Sequence, residues 1–302
     1  MILCCGEALI DMLPVPGTTA FAPHAGGAVF NTAIALGRLG APTGFFSGLS
    51  ADFFGDILRG TLAESRVDTG LCVTADRPCT LAFVRLVDGH ATYAFYDENT
   101  AGRMLTGADL PDFSGAEALF FGGISLVVDP CGGAYEALMN LAHDAGKVTM
   151  IDPNIRPGFI KDEAVYRARL GRMLAMADIV KLSLEDLAWL AGTDGDAFVQ
   201  RLIDGGTALV LLTDGGKGAT AVTARHRQFE EARRVAVVDT VGAGDTFNAG
   251  VLASLHAAGV LSRAALSVLD ESTLRAAVRL GAAAAAVTVS RAGANPPWPS
   301  EL

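Results

Sequence analysis

Short apolar runs alternate with stretches whose apolar residues recur at helical spacing along most of the chain. Residues 2–5 (ILCC) form an unbroken apolar run stopped by Gly6, the pattern of a strand buried on both faces. Residues 31–39 (NTAIALGRL) predict a helix ending at Gly40, and 43–50 (TGFFSGLS) a strand. Residues 52–65 (DFFGDILRGTLAES) predict a helix with Asp52 as its N-cap. The alternation resumes at 118–124 (ALFFGGI), a strand, followed by a helix over 134–146 and a strand over 147–154 (KVTMIDPN). A helix over 165–177, a strand over 178–183 (DIVKLS) and a helix over 184–192 come next. A buried strand lies in 207–216 (TALVLLTDGG), and helices over 245–258 and 272–288. Strands alternating with helices predict a mainly parallel sheet covered on both faces, a three-layer α/β/α body.

Two stretches break the alternation. Residues 13–26 (LPVPGTTAFAPHAG) are rich in Pro and Gly and lack helical periodicity. Residues 79–99 hold two strand-like runs around Asp88-Gly89, a hairpin signal. Together they predict a small β appendage, which must pack on the body, a ligand or a second subunit, because a hairpin alone is marginal in water.

Composition narrows the picture. Hydrophobic residues make up 51% and charged residues 19% of 302, enough for a large core and unlike a disordered chain. A net charge of −10 argues against a nucleic-acid or anionic-membrane partner. Five cysteines, an odd number without a C-x-x-C pair, read as reduced thiols in a cytoplasmic protein. Glu7 and Asp11 come too early for a signal peptide, and no uncharged apolar run is long enough to span a bilayer.

The stretch 239–250 (DTVGAGDTFNAG) carries the chemistry. A P-loop is excluded at 214–220 because Gly218 follows Lys217, and Phe247 spoils a dinucleotide fingerprint at 242–247. In a third reading, the N–H groups of Ala243, Gly244 and Asp245 face a phosphoryl group during transfer, while the Asp245 carboxylate takes a proton from the attacking hydroxyl. Acid and anion site then face different atoms of one reaction. The plainer alternative is a glycine turn with Asp245 as a helix N-cap.

Residues 239–252 (DTVGAGDTFNAGVL) resemble, position for position, the C-terminal signature of the ribokinase-like sugar kinases, also called the phosphofructokinase-B type. Residues 25–40 (AGGAVFNTAIALGRLG) resemble that family's N-terminal signature, with Gly26, Gly27 and Asn31 in place. The resemblance implies one ribokinase-like kinase domain over 1–302, with a β-sheet lid formed by about 12–26 and 77–99. It makes Asp245 the base and Gly242, Ala243 and Gly244 the anion site. Asp11, Gly26, Gly27, Asn31 and Phe95 would bind the sugar. Residues 152–157 (DPNIRP), similar to a segment of fructokinases and 2-keto-3-deoxygluconate kinases, place Asn154 and Arg156 in the reaction zone. Ser183 and Asp186 stand where relatives carry Asn-x-x-Glu, which implies a nucleotide contact at Ser183 and magnesium at Asp186, directly or through water. Thr213, Gly215 and Gly218 would hold ATP, Lys217 either a phosphate or only solvent, and the main-chain oxygens of Asp239 and Thr240 a monovalent cation such as potassium.

Residues 95–105 (FYDENTAGRML) resemble the fructokinase stretch, but with Asp97 where Arg is usual and Asn99 where Gly is usual. An acid at 97 in contact with substrate would disfavour an acidic sugar. The expectation is therefore ATP-dependent phosphorylation of fructose at a primary hydroxyl, by a homodimer paired through its lids. The alternatives are a 2-keto-3-deoxygluconate kinase, a ribokinase or a nucleoside kinase of the same family, or a catalytically silent sugar- or nucleotide-sensing module.

Overall fold

The computed structural model describes residues 1–87 and 90–302, and the side chains of all of these except 85–87 and 90–93. The N-terminal part holds strands β1 (Ile2–Cys5), β2 (Leu9–Pro14), β3 (Phe21–Gly26), β4 (Thr43–Phe46), β5 (Gly48–Ser50), β6 (Val67–Asp68), β7 (Val73–Ala75), β8 (Leu81–Val87) and β9 (His90–Tyr96). Helices α1 (Ala28–Arg38) and α2 (Phe53–Glu64) lie among them. Strands β10 (Ala118–Gly122), β11 (Val148–Asp152), β12 (Ile179–Ser183), β13 (Leu209–Thr213), β14 (Gly218–Val222) and β15 (Arg227–Glu231) follow. They are interleaved with α3 (Cys131–Asp144), α4 (Glu163–Met176), α5 (Leu184–Ala191) and α6 (Gly195–Asp204). The chain ends with α7 (Ala243–Ala257), α8 (Arg263–Leu266) and α9 (Glu271–Val289).

Among the described residues the main sheet has nine strands in the order β15-β14-β13-β12-β11-β10-β1-β4-β6. It is parallel from β6 to β13; β14 and β15 add on antiparallel. The apolar run of β1 is explained by its place between β10 and β4, with both faces covered. Ile2 and Cys4 point into a core shared with α1, α7 and α9, whereas Leu3 and Cys5 point into one shared with α3 and α4. These two cores are the spaces between the three expected layers.

Several expectations need adjustment. The strand expected over 43–50 is two strands, because β5 leaves the main sheet to pair with β7. Any side chain at Gly48, where β5 begins, would run into the Ala101 carbonyl. The periodicity did not reveal α6, β14 or β15. On β15 the outer residues alternate between exposed and half-buried, and Glu230 pairs with Arg279 of α9 at 3.1 Å. At the opposite margin β6 is two residues long. Asp52 does cap α2, accepting from Phe54 N at 2.9 Å and Gly55 N at 3.0 Å.

A second sheet of four strands, in the order β3-β2-β8-β9, is built from the two stretches that broke the pattern. It starts at Leu9 rather than about 12, because Leu9 and Ile10 are already paired with Gly26 and Ala25 of β3 while buried in the body. Strands β8 and β9 pair antiparallel from Leu81↔Tyr96 to Val87↔His90; the Asp88-Gly89 turn itself lies outside the described residues. All five cysteines are free, and burial raises the thiol pKa of each, to about 12 for Cys72, Cys79 and Cys131. They are therefore inert thiols near neutrality. No helix among the described residues is long and apolar enough to cross a membrane.

Helix α7 is seated by small residues. A Cβ on Gly250 would lie 2.6 Å from the Gly281 Cα on α9, and one on Gly281 would lie 2.9 Å from the Phe247 side chain. Neither helix can carry bulk there without moving the N-terminus of α7. Gly250→Val is expected to cost about 1–3 kcal/mol by overpacking, read as a lower urea midpoint. An unchanged midpoint would show that the two helices do not meet at these glycines.

Candidate active site

The strand ends and the start of α7 converge at one edge of the main sheet, where ligands bind in open α/β folds. Gly242 caps α7 in the left-handed conformation (φ 77°), and a Cβ there would lie 2.7 Å from the Ala294 Cβ. Glycine is thus required twice over, for its dihedrals and for its lack of bulk. Of the three amides expected to face an anion, that of Ala243 donates instead to Thr240 O at 3.3 Å, because the first helical amide folds back onto the turn. The amides of Gly244 and Asp245 have no acceptor among the described residues. They are unspent donors at the positive end of a helix.

Asp245 stands in the first turn of α7 and is 7% exposed. Its Oδ2 accepts from Asn31 Nδ2 at 2.9 Å, and its main-chain oxygen accepts from Thr32 Oγ1 at 3.3 Å. Asn31 therefore joins α1 to α7; Gly27, not Asn31, occupies the N-cap of α1. Burial raises the Asp245 pKa to about 7; the Asn31 bond and Lys181 lower it, and Asp152 and Glu7 add to the rise. A carboxyl tuned to neutrality suits a general base. The N-cap alternative fails, since Gly242 holds that position and Asp245 makes no capping bond.

Below Asp245 lies a buried polar group that the sequence reading missed. Asp152, at the end of β11, accepts on Oδ2 from Asn248 Nδ2 at 2.7 Å and pairs there with Lys181 Nζ at 3.0 Å. Its Oδ1 accepts from Asn154 N at 3.1 Å. That bond helps hold Asn154 at φ 43°, a left-handed conformation asparagine tolerates. Arg156 is exposed beside it, and one guanidinium nitrogen donates to Ile155 O at 3.1 Å. Burial works against the Lys181 charge, but Asp152, Asp186 and Asp245 outweigh it and hold the ammonium above its ordinary pKa.

On the side of the small sheet, Asp11 is held in β2 opposite His24, with its pKa raised to about 6 by burial. Gly26 lies against this carboxylate, so a side chain there would push the Asp11 oxygens out of place. At Gly27 φ is 114°, and a Cβ would lie 2.9 Å from Glu7 O. Glu7, also missed, is 8% exposed and accepts from Ala28 N at 2.9 Å and Ser125 N at 3.3 Å; burial raises its pKa. A hollow beside it is lined by Glu7, Thr80, Phe95, Asp97, Arg103 and Ser125. It adjoins a cavity of about 220 Å³ walled by Phe95, Asp97, Phe159 and Lys161. Asp97 does not face these spaces as a bare charge, because Arg103 Nη1 pairs with it at 3.1 Å. The charge argument against an acidic sugar loses its force accordingly. Hollows of about 330 and about 440 Å³ on the outer helices are lined by none of the expected site residues.

Toward β13 the expectations divide. Thr213 ends β13 next to Ser183, and Gly215 (φ 47°) and Gly218 (φ 135°) shape the turn into β14. Lys217 is exposed and pairs with Asp214 at 3.0 Å. Asp186 is engaged within the fold: its Oδ1 accepts from Ile155 N at 2.8 Å, and its Oδ2 from Ser183 N at 3.0 Å and Ser183 Oγ at 2.8 Å. Its carboxylate is spent on a capping box and on the 155 loop. Ser183 Oγ is likewise engaged at both donor and acceptor. Among the described residues no group of three or more His, Cys, Asp or Glu is placed so that it could hold a metal ion. The Asp239 carboxylate accepts from Val241 N at 3.1 Å and Gly293 N at 2.9 Å, bracing the turn before α7.

The family model described as pfkB family carbohydrate kinase matches residues 1–301. A fructokinase of Rhizobium leguminosarum bv. trifolii is 56% identical over 281 residues, covering 91% of this chain and 86% of that protein. A fructokinase with bound ATP from Xylella fastidiosa superposes with a TM-score of 0.91 at 35% identity, over 97% of this chain and 93% of the other. A fructokinase from Vibrio cholerae O395 in fructose, ADP and calcium ion bound form gives a TM-score of 0.84 at 27% identity, over 97% of this chain and 94% of the other.

The Asp245 pKa, raised from 3.8 to about 7, makes the folded chain hold this proton more tightly than the unfolded one. Stability from this group is complete below about pH 4 and is lost as pH rises through about 7. Asp245→Asn removes the loss. Its melting temperature is expected to match the parent near pH 4 and to exceed it above about pH 7. A difference independent of pH in thermal scans would contradict the burial of this carboxylate.

Proposed function

The chain belongs to the pfkB family of carbohydrate kinases, and from that premise we propose that it transfers the terminal phosphoryl group of ATP to a primary hydroxyl of D-fructose, giving fructose 6-phosphate and ADP. The fructokinase relatives support the choice of sugar. The observation that carries the mechanism is a buried carboxylate of near-neutral pKa beside two unspent helix amides.

Ionised Asp245 accepts the proton of the sugar hydroxyl as its oxygen attacks phosphorus. The new O–P bond forms while the bond to the ADP oxygen breaks, and the proton remains on Asp245. Charge on the passing phosphoryl oxygens meets the amides of Gly244 and Asp245, which are fixed in advance and need no reorganisation. Asn31 aims the carboxylate. Asp11 accepts sugar hydroxyls, and Gly26 and Gly27 let sugar and backbone approach. Phe95 walls the sugar space, while Asn154 and Arg156 stand over the reaction zone. Thr213, Ser183, Gly215 and Gly218 line the path for the nucleotide. Magnesium carried in with the nucleotide would neutralise charge on the ATP phosphates, and Asp186 is the residue that would reach it through water. A potassium ion at the main-chain oxygens of Asp239 and Thr240 belongs to the same proposal.

The small sheet would act as a lid that keeps water from the phosphoryl group. Its outer aromatics, Phe21 (42% exposed) and Tyr96 (58% exposed), flank Phe83 at ring distances of 5.2 and 5.7 Å. A second copy covering this strip gives the proposed homodimer, at work in the cytoplasm.

Coupled ADP release with a sugar panel tests the reaction, and fructose should give the highest kcat/KM; a clear preference for 2-keto-3-deoxygluconate or a nucleoside would overturn the substrate. Asp245→Asn should lower kcat by about 10²–10⁴-fold, the usual share of a general base, with ATP binding by calorimetry little changed. In the parent, kcat/KM should fall as pH drops through about 7, since the base must be ionised. Tyr96→Glu should shift the light-scattering mass toward that of one chain.

A further inference from the structure

Lys181 has no role in the reading above. It lies on β12 two residues before Ser183, on the same face of the strand, and is 4% exposed. A buried ammonium is tolerated only with partners, and Asp152 Oδ2 supplies one at 3.0 Å. The arrangement is not closed. An ammonium has three donors, and Asp152 is its one recorded acceptor among the described residues. Asn248 donates to the same Oδ2 at 2.7 Å, which braces the carboxylate from the other side, and its own Oδ1 is buried without a partner. The Lys181 ammonium lies 3.1 Å from the point a Gly244 Cβ would occupy. The spare donors therefore lie against the residue whose amide is also unspent.

The surrounding charge sharpens the point. Glu7 in the loop after β1, Asp152 on β11, Asp186 on α5 and Asp245 on α7 are all buried here. A polyanionic nucleotide brought to this place would be repelled by its own receptor. Lys181 is the cation acting on Asp245 from within this group. A pair kept for packing alone gains little over apolar residues of the same volume.

We infer that Lys181 is a catalytic cation of the transfer, its ammonium donating to the phosphoryl group as it passes Gly244, while Asp152 and Asn248 hold it in place. The ammonium keeps its proton throughout; the hydroxyl proton still goes to Asp245. This rests on the kinase reading above but not on the choice of sugar.

Two variants test it. Lys181→Met should lower kcat by about 10²–10³-fold, the cost of removing one preorganised donor, with a smaller change in ATP KM. The acid limb of kcat/KM should also move to higher pH, because Asp245 loses a neighbouring positive charge. The double variant Asp152→Asn/Lys181→Met removes a negative and a positive neighbour together, so it avoids an unpaired buried charge and guards against misfolding. Its acid limb should return toward the parent's while kcat stays low. Recovery of kcat in the double variant would show that Lys181 only neutralises Asp152, and would overturn the inference. So would a folded Lys181→Met enzyme within about threefold of the parent, well short of that donor's usual share. If Asp245→Asn stayed active while Lys181→Met did not, the base assignment would fall and Lys181 would stand.

Discussion

A carboxylate has to be kept from water and still give up its proton near neutrality. Asp245 meets both demands because several segments agree on its position: α7 brings it to the strand ends, Asn31 of α1 bonds one oxygen, and the sheet supplies charge from below. Burial is the largest influence on it and raises its proton affinity. Lys181 and Asn31 restrain that rise, while Asp152 and Glu7 add to it. The proposed activity depends on this balance.

The α/β body makes the balance possible. Parallel strands end together, so residues far apart in sequence arrive at one edge. Asn31 and Asp245 are 214 positions apart, and Asp152 and Asn248 are 96 apart. The glycines at 250 and 281 let α7 approach α9 closely enough to bring its N-terminus over that edge. The small sheet grows from the same edge: β2 leaves the body at Leu9 and Ile10 and carries Asp11 toward the proposed sugar space.

Much of this was legible in the chain. The alternation of apolar runs and amphipathic stretches foretold the parallel core, and the Pro- and Gly-rich interruptions foretold the second sheet. The stretch 239–250 announced its turn and acid because glycine and aspartate there do local work. Residues whose meaning depends on distant partners were silent. Lys181 reads as one polar residue in a buried strand, and Asp152 as a strand end. Glu7 counted only as a charge too early for a signal peptide, and the fold alone shows it accepting from Ala28 N at the start of α1. Asp97 misled for the same reason, since its partner Arg103 sits beyond a turn. Asp186 was singled out through the family resemblance, and the hydrogen bonds that tie its oxygens to Ile155 and Ser183 depend on a loop the sequence does not place. The edge strands β14 and β15 escaped notice because an antiparallel pair on a parallel sheet breaks the helix–strand rhythm.

The margins of the main sheet have one more effect. At one side β6 offers two residues, too few to template a neighbour. At the other, β15 ends in Glu230 and Glu231, with Glu230 held by an arginine of α9. A short border on one side and a charged, helix-tied one on the other are the features by which sheets discourage the addition of strands from other molecules.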